Sequence, residues 1–314
     1  MYALPIKRFL KRVLSKIELQ KWKHTEGIYL SDKKTPKKVL FYFNDPKRFH
    51  FGDHLFFAPL VKLFIDNNIE THIAPLKPMA FYFEQMGGII VDTPDQNENE
   101  YDLICTWIGF YDLFKGQNKP LLIIDTTDIR INRPLCSYFV DHISELYRFS
   151  KQEHSDRAFI PQTAYPDHLI DRTEQYLIFN PYFDSSPFHI REHHYVLLAS
   201  TAANIAREKN LKVILTGTES EKMSDPDSYP FVDLDLRGKT TIKDLFALAA
   251  ADNVLINVSF DAFGMHLFFM HNKPSHIIFR GRFLKKNARY ILDFVNPPFE
   301  VDQATKNRLV TYLE

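Results

Sequence analysis

The 314 residues exceed one ordinary domain, so two are expected, and a hydrophobic share of 45% excludes a disordered chain. Lys plus Arg and Asp plus Glu each number 39, and a formally neutral protein lacks the cationic face of a general nucleic-acid binder, so no nucleic-acid partner is expected. Two isolated cysteines, Cys105 and Cys136, exclude a disulfide framework and a zinc motif, and Cys105 within Leu103-Ile104-Cys105 reads as a buried free thiol, in keeping with a reducing cytoplasm.

The first element, Pro5 to Lys23, reads as a basic amphipathic helix. Ile6, Phe9, Leu10, Val13, Leu14 and Ile17 recur near helical spacing, with Lys7, Arg8, Lys11, Arg12 and Lys16 between them. Such a helix either lies on an anionic membrane surface or packs its apolar stripe on the body of the protein. No apolar run reaches the roughly 20 residues of a membrane span, and the basic residues interrupt any signal-peptide core, so the expected location is cytoplasmic.

Lys38-Val39-Leu40-Phe41-Tyr42-Phe43 reads as a buried strand. Asp53 to Asn67 carries helical periodicity in Leu55, Leu60, Leu63 and Phe64, and Ile69 to Ile73 reads as the next strand, which predicts a parallel βαβ unit. A helix at Phe81 to Met86 and strands at Gly88 to Val91, Leu103 to Trp107 and Leu121 to Asp125 continue the pattern. Polar Ser150 to Arg172, with Pro161 and Pro166, reads as the inter-domain connection. A second set follows: strand 176–179, helix 195–209, strand 212–216, helix 241–251, strand 253–257, helix 264–271 and strand 275–279. The segment from Ala288 is expected to cross back onto the first half. The pattern predicts two doubly wound Rossmann-like α/β domains facing a cleft, residues 1–160 and 161–290, with 291–314 as the returning segment.

In open parallel sheets ligands bind beyond the carboxyl ends of the strands, which selects the loops at His50–His54, Asn180–Ser186, Thr216–Glu221 and Ser259–His266. Asp53 reads either as a general base for an acceptor hydroxyl or as a helix cap. His50 and His54 stand four apart, but Gly52 between them speaks against a helical metal pair. Glu219, after Gly217, reads either as a carboxylate for ribose hydroxyls or as an exposed loop residue, and Gly238 either places backbone beside a base or makes a plain turn. Asp261-Ala262-Phe263-Gly264-Met265-His266 enters a helix and reads either as an anion cradle, with His266 as an added donor, or as a capped helix with a core histidine. Asp225-Pro226-Asp227 and Asp233-Leu234-Asp235 read as solvated loop more readily than as metal-holding pairs, so no metal is expected.

Several of these loops together resemble one family, the bacterial heptosyltransferase-type glycosyltransferases of glycosyltransferase family 9. Gly52-Asp53-His54-Leu55, with Pro59 and Leu60, is similar to the family's Gly-Asp opening before its first helix. Leu215-Thr216-Gly217, then Leu236-Arg237-Gly238-Lys239-Thr240-Thr241 and Leu245, resembles its strand, Gly loop and Leu-x-Gly-Lys-Thr helix entry. Asp261 to His266 with Leu267 and Asn272-Lys273-Pro274 resembles its Asp-Ser-Gly-x-Met-His-Leu signature. The similarity runs in order over roughly residues 38–281.

The resemblance implies a GT-B fold and an inverting, metal-independent transfer without a cofactor. The sugar would pass from a nucleotide-diphosphate donor such as ADP-heptose to lipopolysaccharide or another surface glycan. Asp53 would match the catalytic base. Asp261, Phe263, Gly264, Met265 and His266 would line the diphosphate and sugar, and Glu219, between Gly217 and Gly238, the ribose. The family's Ser/Thr-Gly pair is Ala262-Phe263 here, and its phosphate-binding Lys has only Arg191 or His189 as substitutes. These departures keep two alternatives open: a non-catalytic nucleotide- or glycan-binding protein on the same fold, and a transferase using a UDP- or CMP-sugar. A lipid-linked acceptor would add peripheral contact with the inner membrane through the N-terminal helix.

Overall fold

The apolar runs become the strands of two sheets, one in the unit Met1–Phe159 and one in the unit Ile160–Glu314. The computed structural model describes residues 14–92, 100–126, 135–151, 159–182, 191–225, 229–260, 262–278 and 310–313.

In the first unit residues 14–19 are helical. A hairpin of β1 (Lys23–Thr25) and β2 (Ile28–Leu30) then turns at Gly27, whose φ of 72° favours glycine. There follow β3 (Lys38–Tyr42), α1 (Phe51–Asp66), β4 (Glu70–Ala74), α2 (Ala80–Met86), β5 (Ile89–Ile90), β6 (Leu103–Trp107), α3 (Tyr111–Phe114), β7 (Leu121–Ile124) and α4 (Leu135–Tyr147). The sheet order is β1-β2-β7-β6-β3-β4-β5. Strands β3 to β7 pair in parallel, and the hairpin joins β7 antiparallel. Val39, Leu40, Phe41, Ile104, Leu122 and Ile123 are fully buried, as in parallel strands covered on both faces. Cys105 and Cys136 are free and buried.

The second unit runs β8 (Tyr176–Asn180), α5 (Glu192–Lys209), β9 (Lys212–Leu215), α6 (Glu219–Ser224), β10 (Leu234–Asp235), α7 (Ile242–Ala250), β11 (Val254–Phe260), α8 (Phe263–Met270), β12 (Ser275–Ile278) and β13 (Val310–Tyr312). All pairs are parallel, in the order β10-β9-β8-β11-β12-β13. Leu177, Phe179, Leu198, Ala202, Val213 and Val258 form its core between sheet and α5. A capping box starts α7: the Asp244 carboxylate accepts the Thr241 N–H at 2.9 Å, and the Thr241 hydroxyl accepts the Asp244 N–H at 3.2 Å.

Several expectations need correction. The N-terminal helix ends by residue 19 and gives way to a 3-10 turn and β1, where a helix to Lys23 was expected; residues 1–13 lie outside the described set. Of its apolar stripe, Leu14 and Ile17 are 65% and 66% exposed, so these two do not pack on the body, while Leu19 is buried. Strand β11 runs to Phe260, three residues beyond the expected end, because Val258, Ser259 and Phe260 keep pairing with β12. Ser259 and Phe260 are therefore sheet interior and not loop. The hairpin, α4, α6 and β10 were not expected. Of the C-terminal segment, β13 pairs with β12 and so joins the second sheet instead of the first half. Among the described residues no helix is long and apolar enough to cross a membrane.

One buried histidine ties the start of α1 to the next crossover. His54 is 0% exposed; its Nε2 accepts the Leu76 N–H at 3.1 Å, so Nδ1 carries the proton and donates to the His50 carbonyl at 2.9 Å. Burial pushes its pKa down to about 3. The unfolded chain, titrating near the ordinary value of 6.5, binds the extra proton first, so the stability held above that pH is lost as pH falls from about 6.5 towards 3. Urea unfolding at about pH 7 and about pH 5 should show a smaller difference for His54→Gln than for the parent, by up to ~1.4 kcal/mol per pH unit. An equal difference in the two proteins would show that His54 is not held neutral.

Candidate functional site

The two units share one strand order. Counting the first five parallel strands of each unit in chain order, β5-β4-β3-β6-β7 and β10-β9-β8-β11-β12 both read 3-2-1-4-5, and β13 extends the second sheet beyond β12. In each sheet the order reverses beside the first strand, between β3 and β6 and between β8 and β11. At such a switch point the neighbouring loops leave in opposite directions and open a crevice at the carboxyl ends. Each unit therefore has its own rim, built from the loops after its two switch strands.

In the first unit the rim consists of Phe43 to Asp53 after β3 and Trp107 to Phe110 after β6. Asp53 is not the cap of α1; His50 is, and Asp53 stands at the third helical position. Its Oδ2 accepts the His50 N–H at 2.9 Å. Among the described residues Oδ1 has no hydrogen-bond partner. Burial pushes the Asp53 carboxyl up, against the pull of the His50 N–H and ring. One oxygen is thus anchored, and the group holds a proton more tightly than an exposed carboxylate does. His54 points into the core and is not paired with His50 as a metal ligand would be. Arg48 fastens the two loops of this rim: it reaches Asp45 Oδ2 at 3.0 Å, Asp112 Oδ1 at 2.6 Å and the Gly109 carbonyl at 3.0 Å.

In the second unit Gly217, Glu219 and Gly238 come together. The Gly238 N–H donates to the Gly217 carbonyl at 2.9 Å, and Gly238 has a φ of 72°. Glu219 is exposed at the start of α6, and its carboxylate lies over Gly238: a Cβ added there would stand 2.0 Å from Glu219 Oε2. Beneath this rim lies Arg237, with a side chain 0% exposed. Its guanidinium holds the Asp235 carboxylate (Nη2–Oδ2 2.8 Å), the Tyr182 hydroxyl (2.9 Å) and the Asp225 carbonyl. These bonds join the ends of β8 and β10 and the turn after α6. Asp235 is thereby committed to Arg237, and Asp233 Oδ2 accepts the Val213 N–H at 2.8 Å; Asp227 lies outside the described residues. Arg237 was read from the sequence only as part of a turn. The Asp-x-Arg spacing at a strand end was the available signal.

At the second switch point, α8 starts behind Ala262, which has no side chain able to cap the first N–H groups. Gly264 is half-buried, and a Cβ there would come within 3.6 Å of the buried Asn257 Oδ1. The Phe263 ring packs edge-on against Phe246 of α7, 5.8 Å between centroids. Met265 is core. His266 is buried too, and burial pushes its pKa to about 3, so it is a neutral side chain and not a cation for a phosphate. Arg191 caps α5 and is exposed, its N–H donating to His194 Nδ1 at 2.9 Å. Asp261 and His189 lie outside the described residues.

No protein-family model matches the sequence, and no curated protein matches it. Solved structures do. A glycosyl transferase family 9 protein from Veillonella parvula superposes over 88% of this chain and 87% of its own, with a TM-score of 0.57 at 14% identity. The fold is GT-B. A second match is E. coli ADP-heptose lps heptosyltransferase II, over 88% of this chain and 90% of its own, with a TM-score of 0.54 at 13% identity. The GT-B chain described here therefore resembles these glycosyltransferases in architecture over most of their length, and its two rims occupy the strand ends where that fold places loops.

The Arg237 network yields a direct test. Arg237→Met leaves the Asp235 carboxylate without its guanidinium and removes the donor to the Tyr182 hydroxyl, which keeps only Asp225 Oδ2, and should cost about 3 kcal/mol in urea unfolding. Arg237→Lys should recover little, since an ammonium cannot reach all three groups at once. A loss below about 0.5 kcal/mol for the Met variant would show that the network is not holding the rim.

Proposed function

We propose that the chain is an inverting, metal-independent glycosyltransferase. It moves a heptose or related sugar from a nucleotide-diphosphate donor, ADP-heptose or one like it, to a hydroxyl of lipopolysaccharide or another surface glycan. The observation that carries this reading is Asp53: a carboxylate at a switch-point crevice, anchored through one oxygen and made more basic by burial. The Oδ1 atom would take the proton of the acceptor hydroxyl as the oxygen attacks the anomeric carbon.

The second unit would hold the donor. The uncapped start of α8 offers backbone N–H groups and the positive end of a helix dipole to a diphosphate whose negative charge grows as the glycosidic bond breaks. Glu219 would take ribose hydroxyls above Gly238. Support for the donor class comes from the structural neighbour named an ADP-heptose heptosyltransferase. The exposed Leu14 and Ile17 support membrane contact by the N-terminal helix, for a lipid-linked acceptor.

Asp53→Asn keeps an oxygen for the His50 N–H and removes the base. Transfer from ADP-heptose to a heptose-free lipopolysaccharide should fall at least about 100-fold in kcat, with donor affinity by calorimetry unchanged. Turnover within twofold of the parent would remove the base assignment. The Phe263 ring at the helix start favours a second reading, a nucleotide- or glycan-binding protein without turnover, or a UDP- or CMP-sugar enzyme. A thermal-shift series with ADP, UDP and CMP and their sugars, paired with product detection, separates these. Stabilisation by ADP and ADP-heptose with product formed supports the first reading, and stabilisation without product supports the second.

A further inference from the structure

We propose that Trp107 is the sugar-stacking platform of the acceptor subsite; this rests on the glycosyltransferase reading above and adds to it the residue that receives the acceptor ring. Trp107 is the last residue of β6, the strand beside β3 at the switch point, so its side chain and Asp53 belong to the two loops that flank one crevice. Thr106, Ile108, Phe49 and Phe110 are all buried, while Trp107 is only half-buried, so the indole is not simply filling the core.

The ring is also held in one orientation. Its Nε1 donates to the Thr126 hydroxyl at 3.1 Å, and Phe49 and Phe110 pack on it at centroid distances of 6.1 and 6.3 Å. Gly109 makes room for it: a Cβ there would stand 1.9 Å from the indole Cζ3. The Gly109 carbonyl in turn is bound by Arg48 of the Asp53 loop. An indole fixed this way loses little freedom when a ligand covers it. Its π face carries negative charge density, which suits the electropositive C–H face of a pyranose, and its one polar atom is already bonded within the protein. A hydroxyl on the edge of a ring stacked there would lie at the rim that also carries Asp53.

The chain has only two tryptophans, so Trp22→Phe leaves Trp107 as the sole indole reporter. In that background, emission should change saturably on titration with methyl glucoside, methyl galactoside or methyl mannoside, and not with mannitol, an acyclic polyol of the same polarity. No pyranoside-specific response would overturn the proposal. In transfer to heptose-free lipopolysaccharide, Trp107→Ala should raise the acceptor KM about tenfold with the donor KM unmoved, and Trp107→Phe should restore most of it. Transfer with the acceptor KM unchanged in Trp107→Ala removes the platform and leaves the transferase reading standing. A Trp107 response in a protein that transfers nothing keeps the platform and removes the transferase.

Discussion

A parallel strand covered on both faces can carry polar chemistry only at its ends. Val39, Leu40 and Phe41 in β3, and Leu177 and Phe179 in β8, are closed off from water, and exposed polar residues gather beyond the ends of the strands. The placing of the candidate groups in both units follows from this. Asp53 stands beyond β3, Trp107 at the end of β6, Gly217 and Glu219 beyond β9, Gly238 beyond β10, and Gly264 beyond β11. Where strand order reverses, two such ends stop covering each other, and a ligand has access to backbone and side chains together.

Loops at strand ends are prone to move, and here each rim is fastened from beneath by an arginine. Arg48 joins Asp45, Asp112 and the Gly109 carbonyl in the first unit, and Arg237 joins Asp235, Tyr182 and the Asp225 carbonyl in the second. A guanidinium is suited to this because its donors spread in a plane and stay charged when desolvated. The histidines of the two rims act differently. Burial keeps His54 and His266 neutral, so His54 contributes a fixed tautomer and packing, and neither supplies positive charge. The positive end in the second rim is then the start of α8.

Much of the fold was legible in the sequence. Apolar runs such as Lys38 to Phe43 and the helical spacing of Leu198, Ala202 and Ala206 are local signals, and the elements lie within a few residues of where those signals put them. The misses have physical causes. The hairpin and β10 are too short to show a period, and β11 overran its expected end because Ser259, polar by itself, is paired and buried between neighbours. In the candidate site, Gly52-Asp53 and Gly264 were visible as candidates because each follows an apolar run at a helix entry, where a glycine or carboxylate serves either a ligand or a cap. Arg237 and Trp107 were not, since an arginine in a turn and a tryptophan ending a strand look ordinary until their surroundings are known.

The sequence by itself determined the alternation of strands and helices, the division into two sets of them, and the short list of loops able to carry chemistry, because periodicity and turn residues act over a few positions. Only the tertiary structure decided which strand ends are neighbours, that β13 belongs to the second sheet, that Asp53 is anchored through one oxygen, and that Phe263 lies against Phe246. Apart from the Asp53 anchor, made by the His50 N–H three positions earlier, those outcomes depend on pairing and burial between residues more than ten positions apart, and no local pattern encodes them.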